Sequence, residues 1–444
     1  MESTSEFSLP QAIAYGLRHN PKLSAALAAS ERARGLEQVA FAPFLPELDL
    51  LSHSGVTSPT LGPASAGRTG IIIPTSMGTH AYIQAELQLQ WTIYDFGRTA
   101  ARYRQAKART RTTELQHTRA RETVGFDVAI AYLQALRAGA TRRIQEEAIR
   151  QAEATLRDTR SRFAAGTVDR DDVLRAEVFL AAAEEDLDIA REAELAAFAR
   201  LNNAMGRDAS LPVTVMDVTS QPPFDLTLEQ CLEMAASQRP EISIAREAVA
   251  EAQYGQQAIA LELWPRVYTL ASTGLLGGSN IKSGSQQGIG LHLDIPLYSG
   301  GRRKGELRAA EAEIREAVAN ARSVLDGVTL QVTLAYRAAT TARRRIERNL
   351  PAIEQARENL RLVINRYRNG NATPTDIVDA ETALTRAQQR LTSATYEFLA
   401  ALVSLDYALG NFPGHSLGRA DFPENLDFPA IEVLPPPRPV LNLE

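Results

Sequence analysis

The chain is written twice, and that duplication limits its fold more than any other feature. Residues 8–46 match residues 227–265 at a shift of 219, with Leu9/Leu228, Gln11/Gln230, Pro21/Pro240, Ser24/Ser243, Ala33/Ala252, Gln38/Gln257 and Pro46/Pro265 identical. Further along the shift becomes 204, pairing Tyr94/Tyr298, Gly97/Gly301, Arg98/Arg302, Tyr132/Tyr336, Gly166/Gly370, Asp172/Asp376, Glu177/Glu381 and Gly206/Gly410. The whole change of shift falls between Pro46 and Tyr94, so the two copies differ in length at one loop, where insertions are tolerated. A fixed internal period is read before any local signal. It divides the chain into a first repeat over 1–219, a second over 220–410 and a C-terminal tail over 411–444.

Each repeat predicts the same elements. Ser8-x-x-Gln11 and Thr227-x-x-Gln230 are capping boxes that start a short helix. Pro21 and Pro240 start a second one, which stops before Pro46 and Pro265. A period-two segment follows. Ile83, Ala85, Leu87, Leu89, Trp91 and Ile93 alternate with Gln84, Glu86, Gln88, Gln90 and Thr92, and Ile289, Leu291, Leu293, Ile295 and Leu297 alternate with Gly288, Gly290, His292 and Asp294. These are strands with one apolar and one wet face, of a length that suits a tilted membrane-spanning strand. Their partners, near 46–57 and 265–276, alternate less cleanly, and the Gly-, Ser- and Pro-rich stretches Ser58 to Gly78 and Gly277 to Gln286 read as hairpin tips.

From Arg98 to Ala165 there is no proline, and Ile144, Ala148, Ala152, Leu156, Thr159 and Phe163 step by three or four. A helix of about 68 residues would extend about 100 Å. It turns at Gly166, or at Gly370 in the second copy, and returns in a helix ending near Gly206 or Gly410. Such struts far exceed ordinary globular helices. Pro351 lies inside the second strut and is expected to bend it.

Composition removes several classes. The net charge of −5 argues against a nucleic-acid partner, and no run of 18 apolar residues offers a transmembrane helix. A membrane could then be met only by a β-barrel or at its surface. The one cysteine, Cys231, allows no intrachain disulfide and no cysteine-based metal site. Scattered histidines and the lack of any GxSxG, P-loop or HExxH motif leave no catalytic residues, no metal site and no cofactor, hence no enzyme. The start, Met1 to Phe7, carries no signal-peptide pattern and the first structured motif is placed at Ser8, so a leader is taken to have been removed.

Helices with narrow apolar stripes, rich in Ala, Arg, Glu and Gln, suit a thin-walled hollow cylinder as well as a soluble coiled-coil scaffold. The strands decide between them, because a face of Gln84, Glu86, Gln88 and Gln90 opposite six apolar residues fits a barrel wall between lipid and a wet lumen. Four strands per chain cannot close a barrel, so several chains must share one, and three chains would supply about twelve strands.

The duplicated unit, the short helix ending in Leu45-Pro46 or Trp264-Pro265, the Tyr-x-x-Gly-Arg junctions at Tyr94 and Tyr298, and the Arg-Phe-x-x-Gly and Arg-Tyr-x-x-Gly tips resemble the TolC-like outer-membrane efflux family over about residues 8–411. The resemblance implies a mainly α fold with a transmembrane β-barrel part: long α-helical hairpins forming a trimeric α-barrel, plus four strands per chain in a shared 12-stranded barrel. It implies a homotrimer in the Gram-negative outer membrane, reaching into the periplasm and touching outer-membrane lipid. A periplasmic adaptor (membrane fusion) protein and an inner-membrane transporter of ABC or RND type would be its partners, and small molecules or, by type I secretion, proteins its cargo. A soluble periplasmic coiled-coil scaffold or adhesin is the alternative.

The resemblance also places functional residues. Tyr367, Asp376 and Asp379 fall on the tyrosine and carboxylate positions of the family's gate, and Asp172 on a carboxylate that can bond that tyrosine. Ala372 stands where the family's best-studied gate has a basic residue. Asp172 and Asp376 also read as first-turn acids beside the helix caps Asp169 and Thr373. Asp379 lies beyond the first turn and, repeated in a trimer, would form a cation-favouring ring. Gly166, Thr167, Gly370 and Asn371 are the adaptor-contact tips, whose glycines also serve the turn. Trp91, Tyr94, Tyr298 and Trp264 are an interfacial aromatic girdle or packing at the base of the barrel.

Overall fold

The computed structural model describes residues 5–57, 80–218, 224–278 and 281–411. The two repeats fold into matching elements: α1 (Leu9–His19), α2 (Pro21–Phe41), β2 (Glu47–Thr57), β3 (His80–Tyr94), α3 (Arg98–Ala164) and α4 (Arg170–Met205), then α5 (Leu228–Gln238), α6 (Pro240–Ala260), β5 (Arg266–Gly278), β6 (Ile281–Asp294), α7 (Arg302–Arg368) and α8 (Pro374–Leu409). Helix lengths repeat residue for residue, at 11, 21, 67 and 36 in both copies. Both expected capping boxes form, Ser8 with Gln11 and Thr227 with Gln230. No helix among the described residues is long and apolar enough to cross a membrane.

Two compact units divide these elements, and each takes part of both repeats. The first comprises Met1–Ala25, Thr118–Arg239 and Gly327–Glu444. Its core joins Ile13 and Leu17 of α1, Val124, Val128, Tyr132 and Leu133 of α3, Leu201 and Met205 of α4, and Leu399, Leu402 and Val403 of α8. The return helices end on Gly206 and Gly410 at φ +77° and +82°. A Cβ on Gly206 would stand 2.8 Å from the His19 carbonyl at the end of α1, and one on Gly410 3.0 Å from Gln238 at the end of α5. Glycine therefore serves both the left-handed turn and the close approach. The segment before Ser8 is also ordered: β1 (Ser5–Phe7) pairs in parallel with β4 (Val213–Val215). The Tyr132 hydroxyl reaches the Phe7 and Met216 carbonyls at 2.8 and 2.6 Å. Three-residue strands carry no periodic signal, hence the expected start at Ser8.

The second unit, Ala26–His117 with Pro240–Asp326, holds a four-stranded antiparallel sheet in the order β2-β3-β5-β6. Its buried helical positions are mostly small: Ala33, Ala101, Ala108, Ala252, Ala258 and Ala310. Neighbouring helices are laced by ion pairs instead, Arg34–Glu114 at 2.8 Å, Arg102–Glu262 at 2.6 Å and Arg111–Glu247 at 3.6 Å. That is the packing of a single layer of helices.

Two strand boundaries differ from expectation. The stretch read as a tip from Gly277 to Gln286 is already strand from Ile281, with its glycines paired in the ladder. Ile295 and Leu297 lie past the end of β6 at Asp294, because Pro296 has no N–H to give the ladder. The other tip, Ser58 to Gly78, and the tail beyond Asn411 lie outside the described residues.

Candidate functional site

The sheet is inside out relative to a water-soluble one. In register across the four strands, Leu48, Leu89, Ala271 and Ile289 form one row and Asp49, Gln88, Ser272 and Gly288 the next, on the opposite face. On the inner strand β3 the apolar face is the open one, with Ile83 59% exposed against 9% for Gln84 on the polar face. On the outer strands Leu50, Ile289 and Leu291 are bare at 75%, 84% and 70% beside exposed polar positions. Large bare apolar patches mark contact with another apolar phase. Among the described residues β2 and β6 have no partner on their outer sides, an arrangement that invites further strands.

The helical flanks repeat this pattern. Exposed large apolar side chains sit on α2 (Leu36, Val39, Phe41), on α4 (Leu174, Val178, Ile189, Leu195) and on α7 (Val318, Leu325, Leu330, Leu334, Leu350, Leu362). Within the described residues α8 carries none and α3 only Phe163. In the first unit α8 is bracketed by α3, through Arg137–Ser393, and by α7, through Arg345–Glu397.

At the hairpin ends both turns close alike. Gly166 and Gly370 take φ +73° and +75°, and the Thr167 and Asn371 N–H groups donate to the Arg162 and Arg366 carbonyls at 3.0 and 2.8 Å. All four tip residues are exposed. Asp376 completes a box with Thr373, accepting its N–H at 2.7 Å and its hydroxyl at 2.8 Å. The Thr373 N–H first, then its hydroxyl, holds the Asp376 carboxyl below the usual carboxylate range. Asp169 takes the cap position of α4 without a side-chain bond.

The structure brings the two tips together through Arg162, which stands in the Arg-Phe-x-x-Gly tip but carries no role in the sequence reading. Arg162 of α3 stacks on the Tyr367 ring at 4.0 Å and donates to the Tyr367 carbonyl at 3.3 Å, while Asp158 holds it from the same helix at 3.0 Å. A cation thus meets the tyrosine from the other repeat, and Ala372 joins the apolar cluster of Leu360, Val363, Tyr367 and Ile377. Burial raises the Tyr367 phenol above its ordinary value. Its hydroxyl lies beside Thr159 and Asp158 without completing a hydrogen bond to either. No hydrogen bond joins it to Asp172, which is half-buried on α4, and Asp379 is exposed on α8.

Of the four aromatic residues, two meet through a third ring. Phe96 stands 4.7 Å from Tyr94 and 5.0 Å from Trp264, and the Trp91 indole N–H donates to the Phe44 carbonyl at 3.0 Å. Tyr298 stays apart, 89% exposed. Phe96 alone among the described non-glycine residues has a positive φ, +56°, where the second repeat has Gly300 at +62°. Asp95 supports the turn by accepting the Gly97 and Thr99 N–H groups at 3.1 and 2.7 Å. No cluster of three or more histidine, cysteine or acidic residues among the described residues could hold a metal.

A doubled strand-hairpin and long-helix unit, apolar on the open face of its sheet, is the build of an outer membrane efflux protein. The chain belongs to the outer membrane efflux protein family, whose model matches residues 14–207 and 231–411. Among its relatives is the outer membrane efflux protein BepC of Brucella suis, 25% identical over 296 residues, a stretch covering 66% of this chain and 64% of that protein. The pyoverdine export outer membrane protein OpmQ of Pseudomonas aeruginosa is 24% identical over 409 residues, covering 89% and 83%. In fold the chain is similar to the outer membrane protein VceC of Vibrio cholerae, with a TM-score of 0.79 at 24% identity over 91% and 96% of the two chains.

Proposed function

We propose that three copies of this chain close into one duct in the outer membrane, a shared twelve-stranded β-barrel continued by a periplasmic barrel of helices. The observation that carries this reading is the sheet whose apolar face is open and whose outer strands, among the described residues, lack partners. In lipid such edges cannot stay bare, and the β2 side of one copy is complementary in kind to the β6 side of the next. The bare apolar residues of α4 and of α7 support the same closure between copies along the helices.

The duct receives cargo from an inner-membrane transporter through a periplasmic adaptor. That adaptor contacts the tips at Gly166, Thr167, Gly370 and Asn371. The constriction is lined by Asp379, with Tyr367, Asp376 and Asp172 around it, and Arg162 takes the basic role that Ala372 leaves vacant. Trp91, Tyr94, Phe96 and Trp264 mark the periplasmic edge of the bilayer. The mass of the purified particle tests the assembly. A detergent-dependent complex of three 48.4-kDa chains is expected, and a protein that stays monodisperse in water without detergent would overturn it in favour of a soluble scaffold.

A further inference from the structure

The two repeats treat one carboxylate differently. Glu177 on α4 pairs with Arg160 of α3 at 2.6 Å. Its counterpart Glu381 on α8 has Ile364 where the first repeat has that arginine. Glu381 is 5% exposed. One oxygen accepts a hydrogen bond from Thr155 of α3 at 3.0 Å, and the other has no partner. The contact joins the first hairpin to the second, a few turns from the tips. Titratable groups on the surrounding helices are engaged elsewhere: Asp158 and Arg162 of α3 with each other and with Tyr367 of α7, and Glu177 of α4 with Arg160. None of them acts on the Glu381 carboxyl, which only burial and the Thr155 hydroxyl influence.

Because an isolated buried carboxylate is far costlier than its neutral acid, we propose that Glu381 is a protonation latch: uncharged, it lets α8 pack on α3, and on ionising it drives the hairpin ends apart. This rests on the duct reading, since the movement would widen the periplasmic mouth. Burial places the titration of Glu381 near pH 7, against an ordinary value of 4.5. A carboxyl so shifted in the packed hairpins favours release roughly 300-fold more when ionised than when protonated. Stability held below pH 4.5 is lost progressively as pH rises through 7.

Paired spin labels at Ser161→Cys and Ala383→Cys, in a Cys231→Ser background of the full chain, read the α3–α8 distance directly. In the otherwise wild-type protein a longer distance should grow in as pH rises from 5.5 to 8.5. Glu381→Gln should hold the short distance throughout. Thr155→Val, by removing the one donor that favours the carboxylate, should move the midpoint to higher pH, which a merely structural glutamate would not do. A distance that ignores pH, or that responds equally in Glu381→Gln, refutes the latch. Bilayer currents on the same proteins separate the two readings. A pH-dependent distance without conductance at any pH would sink the duct and leave the latch standing.

Discussion

The substitution Ile289→Arg separates lipid from water at the open face of the sheet. Ile289 is 84% exposed and sits in an apolar row with Leu48, Leu89 and Ala271, away from the ends of β6. In a protein bathed by water, an exposed substitution there shifts stability by no more than about 0.5 kcal/mol. In a bilayer, arginine on the outer face near the midplane costs about 2–4 kcal/mol, roughly three times that for an assembly of three. Gln88→Arg on the opposite face, in the row of Asp49, Ser272 and Gly288, is the matched control and should stay within about 0.5 kcal/mol. Urea titration of folding into phospholipid vesicles, followed by the emission of Trp91 and Trp264, the two tryptophans of the chain, measures both. If Ile289→Arg is no more destabilising than Gln88→Arg in vesicles, that face meets water and the barrel argument fails.

Other residues carry their own expectations. Gly206→Ala combines a left-handed φ of +77° with a 2.8 Å approach to the His19 carbonyl, and should cost about 2–4 kcal/mol in denaturant unfolding; a loss under 0.5 kcal/mol would show that α1 shifts freely away. Glu381→Gln should equal wild type in thermal unfolding near pH 4.5 and exceed it by about 3 kcal/mol at pH 8, since the wild-type carboxyl binds a proton more tightly folded than unfolded. Equal stability at both values would contradict that. Asp379→Asn should weaken cation preference in single-channel reversal potentials, and an unchanged preference would remove Asp379 from the pore.

Much of this was readable from residues alone, for identifiable reasons. Duplication and period-two alternation at 83–93 set the order of elements and the location of β3, and the capping boxes set the starts of α1 and α5. The start of β6 was misread because Gly277, Gly278 and Gly284 signal a turn by composition, although they pair with Ile83, Ile281 and Leu276 in the ladders. Arg162 was read only as part of a tip motif because its role depends on a contact between hairpins about 200 residues apart, whereas Ala372 was visible as a gap. Glu381 had a legible sign, the loss at Ile364 of the cation that Arg160 supplies to Glu177, and its weight became clear only with burial.

Whether this chain makes a hole through a membrane is settled most directly by planar-bilayer recording of the purified, detergent-solubilised protein. The account predicts discrete, cation-preferring conductance steps that grow as pH is raised from 5.5 to 8.5. Bilayers that stay electrically silent across that range, with the protein inserted, would contradict it.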